Sequence, residues 1–224
     1  IEIIPGIEVR ANEPEHGFKS LDVIGLFVDH KNKDLIEFSE RIKNERIRQK
    51  KETIKKLQDL GFEITFEEIA KDVKGAFGRP HIARALLKKY PKEFSSVKDV
   101  FDKYLGSNKS AYIVRKEETS IKDAVDIIHK AGGIAFLAHP EIFGRENSEE
   151  LIGLFKEAKG EGIETYYPYH IICPDLKIDG KQNNEIIEFY KNIAEKDGFI
   201  ESGGSDFHGG ERMTMGKLDI PDSV

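Results

Sequence analysis

The spacing of apolar positions changes twice along the chain. At the amino end they fall in short runs, Ile1 to Ile4 and Ile7 to Val9 around a Pro5-Gly6 turn, then Val23 to Val28 broken by Gly25. Such runs predict strands. From Asp34 to Leu60 the spacing becomes helical: Ile36, Ile42, Ile54, Leu57 and Leu60 form a stripe, Asp34 and Glu37 make a start signal, and Gly61 stands where the helix should stop. Smaller helices follow. Thr65 with Glu68 and Ser96 with Asp99 mark two starts, the second helix ending before Gly106, and Gly75 to His81 leads into a third that stops at Pro91. After Thr119-Ser120 helices and strands alternate: helix Ile121 to Ala131, strand Ile134 to Ala138, helix Glu149 to Lys159, strand Ile163 to Tyr167, helix Asn184 to Lys196, strand Phe199 to Ser202. The unbroken apolar run Ile134 to Ala138 predicts a strand buried on both faces, as in a parallel sheet.

Length and composition narrow the class. A chain of 224 residues holds one large α/β domain, or a core with a small subdomain. The pattern places the core at 1–33 and 113–224 and a helical insertion at 34–112. No apolar run approaches membrane-spanning length, and no leader pattern is present. One cysteine, Cys173, excludes an intramolecular disulfide and fits a reducing, cytoplasmic setting. A net charge of −6 argues against attraction to extended duplex nucleic acid or an anionic membrane. The basic run Arg41 to Lys51 is interleaved with glutamates and reads as a solvated helix face. Nucleophile chemistry is poorly supported: Cys173 lies in an apolar context, and Ser205 lacks the strand-turn-helix elbow of a hydrolase serine.

The stretch Gly203 to Gly210 holds Asp206 and His208, two residues apart, so on extended backbone their side chains share a side. A carboxylate and an imidazole aimed at one point suit a metal ion. His139 and His170 also follow predicted strands, and Glu8 lies in or after one; in parallel α/β folds that rim collects functional groups. Taken alone, Glu8 on an alternating strand fits a surface position more often than a buried one. Arg79 and His81 stand at the start of a helix opened by Pro80, where free N–H groups form a seat for an anion such as phosphate; helix capping or an ion pair explains them equally well.

Four segments, Pro5-Gly6-Ile7-Glu8, Gly78 to Ala83, Ala138-His139-Pro140 and Gly204 to Gly209, resemble in order and spacing the polymerase and histidinol phosphatase (PHP) family. The branch they resemble most acts on nucleoside 3′,5′-bisphosphates and short RNA ends. The resemblance implies a distorted (β/α)7 TIM-like barrel carrying an inserted helical subdomain. It implies two or three divalent ions (Mn, Fe or Zn) held by Glu8, His139, Asp206 and His208, with Asp206 and His208 acting through metal-bound water. Asp22 stands where the family generally has a histidine, so it is either an oxygen ligand or a lost one. Arg79, His81, Lys109 and His170 become substrate-binding candidates for a small phosphorylated nucleotide or a short RNA end. The family's opening D-L-H-x-H motif would precede Ile1, so the stretch from Ile1 to Val224 is expected to be an amino-terminally truncated barrel that binds metal incompletely. Histidinol-phosphatase-like hydrolysis and a non-catalytic nucleotide- or metal-binding module are the alternatives.

Overall fold

The computed structural model describes residues 3–208 except 74, 76, 115 and 117, together with 216, 218–221 and 224. Gly209 and the last glycine of the Gly203 to Gly210 stretch lie outside the described residues, as does Ala76. The chain divides into two compact units, 1–37 with 118–224, and 38–117.

The first unit is built on five strands in one mixed sheet, in the order β1-β2-β3-β4-β5. β1 (Gly6–Glu13) and β2 (Phe18–Leu26) form an antiparallel hairpin, and β2 pairs antiparallel with β3 (Ile134–Leu137). β4 (Gly162–Tyr166) and β5 (Ile200–Gly203) then add in parallel. The hairpin is longer than the apolar runs predict. Ile3 to Pro5 are not strand, and β1 starts after Pro5, which has no N–H to give to a ladder. Its far half is hidden in sequence because buried Val9 and Ala11 alternate with the outward-facing Arg10 and Asn12. Asp22, expected at a strand entrance, is therefore in mid-strand, with Arg10 opposite it.

Helices cover this sheet. α5 (Ile121–Lys130) packs on β1, β2 and β3, and its approach depends on Gly25, where an added Cβ would lie 2.7 Å from Ile128. α6 (Ser148–Glu157) lies against α5, and α8 (Gly180–Asp197) against β4 and β5. α8 begins earlier than its apolar stripe suggests because Asp179 and Gln182 cap it reciprocally. A four-residue helix, α7 (Tyr169–Ile172), follows β4 and was not legible as a separate element. Leu21, Val23, Ile128, Phe155, Tyr167 and Tyr190 are almost wholly buried in this core. Each such aliphatic side chain contributes about 1.5–3 kcal/mol of transfer free energy.

The second unit is helical. α1 (Lys33–Asp59) matches the predicted long helix to within a residue at each end, and the unit boundary falls within it. α2 (Phe66–Ala70) is capped by Thr65, α3 (Arg79–Lys89) starts after Gly78, and α4 (Val97–Val100), capped by Ser96, runs into a π-type turn over Phe101–Leu105. Their apolar faces meet in one cluster with Ile54, Leu57, Phe62, Ile82, Leu86 and Leu105 at its centre. Phe62 stacks edge-on against Tyr90 and Tyr104 at 5.2 and 5.1 Å. No helix among the described residues is long and apolar enough to cross a membrane.

Candidate metal centre

His139 is the point on which the first unit's polar groups converge. It follows β3, whose end is tied to β2 by the Ala138 N–H donating to the Asp22 carbonyl at 3.1 Å. Its backbone sits at φ +29°, a sparsely populated conformation for a non-glycine residue. The fold holds it there: the His139 N–H donates to Glu164 Oε2 at 3.0 Å, and its ring packs against Tyr167 at 5.2 Å between centroids.

From this position the imidazole faces two carboxylates. Nε2 lies 3.7 Å from Glu8 Oε1 and 3.9 Å from Asp22 Oδ2. Both distances are too long for hydrogen bonds. They are close to the separation of two ligands on one ion, since metal–ligand bonds of about 2.1 Å put neighbouring ligands roughly 3–4 Å apart. Glu8, Asp22 and His139 thus form a group that could hold a metal ion, with donor atoms within 4.8 Å of one another. The His139 Nδ1 atom is buried and has no hydrogen-bond partner among the described residues. An imidazole serving as a metal ligand normally has its other nitrogen engaged, so this orphan is the weak point of the fit. The donor set itself, one imidazole with hard carboxylate oxygens, suits Mn, Fe or Zn.

Glu8 reaches the cluster from inside β1 and not from a strand end, across from Ile24, and keeps 38% of its side chain exposed. The surface reading is half right, and its electrostatics make up the rest. Attraction to His139 holds Glu8 below the usual carboxylate range against the opposing effect of burial. Burial pushes the His139 imidazole down, but Glu8, Glu164, Asp22 and Asp206 outweigh it, and the net direction is up.

Asp206 joins through Tyr167, whose hydroxyl donates to Asp206 Oδ2 at 2.9 Å. Asp206 and His208 do come together, His208 Nδ1 lying 3.0 Å from Asp206 Oδ1 and 2.9 Å from the Asp206 carbonyl. The reason is not extended backbone: Asp206 is at φ +49°, and the left-handed turn folds the two side chains onto each other. That carbonyl and the carboxylate push His208 up. Asp206 and His208 stand outside the three-residue cluster.

Three participants escaped the sequence reading. Glu164, in mid-β4, is 4% exposed, and its carboxyl is pushed up to about 7 by burial, with the His139 ring and amide pulling the other way. The signal was the one that raised Glu8, a carboxylate inside an apolar strand. Glu164 also explains one glycine of the closing motif, because a Cβ on Gly204 would lie 2.9 Å from Glu164 Oε1. Tyr167 reads in sequence only as the end of the strand from Ile163. Arg10, on the hairpin, pairs with Asp22 through both of its oxygens: Nε–Oδ1 and Nη2–Oδ2 are each 2.8 Å.

The remaining candidates are placed differently. His170 lies in α7, exposed, with its N–H donating to Asn183 Oδ1 at 3.3 Å. In the second unit Lys109 is exposed. His81 Nδ1 accepts the Gly78 N–H at 3.1 Å, which fixes the tautomer with its proton on Nε2. The Arg79 guanidinium donates from Nη1 to the Leu105 carbonyl at 3.0 Å and lies over the Tyr112 and Phe101 rings at 5.2 and 5.9 Å. Cys173 is half-buried and burial pushes its thiol up, away from thiolate chemistry.

No protein-family profile matches the chain. It is 33% identical over 173 residues to the 5′-3′ exoribonuclease Rnm of Escherichia coli, an alignment covering 73% of this chain and 55% of that protein. It is 29% identical over 215 residues to the 3′,5′-nucleoside bisphosphate phosphatase of Chromobacterium violaceum, covering 93% of this chain and 68% of that one. Among solved structures, an amidohydrolase from Chromobacterium violaceum with bound sulfate and no metal superposes with a TM-score of 0.66 at 28% identity, over 92% of this chain and 67% of that one. The chain therefore spans about half the length of the Escherichia coli relative and about two thirds of the other two.

Proposed function

We propose that the chain belongs to the PHP family of phosphoesterases and forms part of a metal-dependent hydrolase of a small phosphorylated nucleotide, a 3′,5′-bisphosphonucleoside or the end of a short RNA. The relatives' names support the substrate class, and the five-stranded mixed sheet carries the polar rim. The observation that carries the reading is His139 Nε2, aimed at two carboxylates at 3.7 and 3.9 Å, neither of them a hydrogen-bond partner.

In this reading Glu8 and His139 hold one divalent ion, and Asp206 and His208 present a second set of donors on the same rim. When bound, such ions supply the positive charge and the acidified water that phosphoester hydrolysis needs. The protein's part is to hold its groups still. The Tyr167 hydroxyl fixes the Asp206 carboxylate, and Glu164 fixes the His139 backbone in its strained conformation. Arg79 and His81 are the proposed phosphate-binding pair, a guanidinium and an imidazole being suited to phosphate oxygens. Lys109 and His170 are weaker candidates for substrate binding.

The test is release of inorganic phosphate from a 3′,5′-bisphosphonucleoside by the full-length protein with added Mn²⁺. A panel adding histidinol phosphate and a simple aryl phosphate identifies the substrate class. Preference for the bisphosphonucleoside is expected; equal rates on all three would move the reading to a general phosphomonoesterase, and no release from any would leave a binding module.

A further inference from the structure

The polar rim holds more negative charge than the metal cluster accounts for, and part of it already has a cation. Asp22 is 6% exposed, and both of its oxygens are taken by Arg10 in a fork-to-fork pair with two 2.8 Å contacts. This is the strong form of an ion pair, with charge assistance and fixed geometry. The oxygen involved matters. Oδ2, the atom that lies 3.9 Å from His139 Nε2, is the one that accepts from Arg10 Nη2. A dication bonded to that oxygen would sit beside the guanidinium, where like charges repel in a partly desolvated setting. The pair is also written into the hairpin: Arg10 and Asp22 are opposite one another in the β1–β2 register, so their meeting needs no distant element.

We propose that Arg10 is a resident cation of this centre. Its guanidinium occupies Asp22 in place of a metal ion, so Asp22 is not a metal ligand and the ion facing His139 has one fewer carboxylate ligand than the cluster offers. Arg10 is a positioning residue in this scheme: it neutralises Asp22 and keeps that carboxylate from competing for the ion held by Glu8 and His139. The inference rests on the metal reading above, but the comparison that tests it does not require turnover.

The experiment is Mn²⁺ stoichiometry and affinity of the full-length protein, by equilibrium dialysis with elemental analysis and by calorimetry, for wild type, R10A, D22N and R10A/D22N. R10A is expected to bind Mn²⁺ at least tenfold more tightly than wild type at unchanged stoichiometry, and R10A/D22N to lose that gain. D22N is expected to keep the wild-type stoichiometry with less than a threefold change in affinity. Equal affinity in wild type and R10A, or a tenfold weaker or missing Mn²⁺ in D22N, would overturn the proposal. D22N keeps the test open if R10A fails to fold, since it leaves Arg10 and the hairpin length in place. Phosphate release without the R10A gain removes the resident cation alone; the R10A gain without phosphate release removes the hydrolase reading alone.

Discussion

Two charged clusters in this chain look alike in sequence and differ in what their charges are for. In the second unit Arg48 bridges Glu45 and Glu52, each at 2.6 Å, and the Lys116 N–H donates to Glu45 Oε1 at 2.8 Å. Each of those charges has its opposite on the same helix or an adjoining loop, and Arg48 holds the Glu45 carboxyl down at about 2. On the rim, Glu8, Asp22, Glu164 and Asp206 face Arg10 and the imidazoles of His139 and His208. There the charges pull in opposite directions: Glu8 goes down, Glu164 goes up, and His139 is raised against its own burial. A cluster that balances itself belongs to the fold, while one left short of positive charge is prepared for something to be added.

The sharpest way to break the comparison is at His139 and Asp206. H139A and D206A in the full-length protein are expected to reduce Mn²⁺-dependent phosphate release by at least a hundredfold, whereas E45Q leaves it within a factor of two. Undiminished turnover in D206A would remove the rim from the chemistry. Next in size is metal-linked stability. Saturating Mn²⁺ should raise the thermal midpoint of the wild type by an amount equivalent to about 2–3 kcal/mol at a hundredfold excess over Kd. H139A should lose most of that rise, and E45Q should retain it.

A third measurement separates the clusters by pH. Glu164 has a folded-state pKa raised above its unfolded value, so its contribution is fully present below about pH 4.5 and lost as pH rises through about 7. In EDTA, E164Q should flatten that decline and raise the unfolding free energy from urea titration at pH 8 by up to roughly 3 kcal/mol. An unchanged pH profile would show that Glu164 is not paying for burial. The smallest effect is expected at Glu45, whose depressed pKa gives stability present above about pH 4.5 and lost as pH falls toward about 2. E45Q should cost under about 1 kcal/mol at pH 7, the range of such pairs near a surface, and less at pH 3.

Much of this was legible beforehand where a single rule decides. The long helix α1, the capped starts of α2, α4 and α5, and the strands β3 to β5 follow from periodicity and capping residues that act over a few neighbours. His139 and the Asp206–His208 pair stand out in the sequence because a histidine after a strand and a closely spaced carboxylate and imidazole are local signals. Arg10 and Glu164 were not, for a physical reason. Arg10 acquires its role from a partner on the next strand, and Glu164 from the amide of a residue 25 positions away. The orientation of Asp206 was misjudged because a left-handed residue outside glycine is imposed by tertiary context.

The hairpin has a consequence in time. Glu8, Arg10 and Asp22 lie within a stretch that closes on itself through the Pro14–His16 turn, so their meeting costs only a short loop. Hairpins of this kind form in about 1–10 μs. His139, Glu164 and Asp206 arrive from strands more than a hundred residues later, across the whole intervening helical unit. Nascent chains would thus carry the Arg10–Asp22 pair, with the acid already neutralised, before His139 is in reach. Stray divalent ions met during synthesis would find one fewer open carboxylate there, and loading would wait for the late strands to dock.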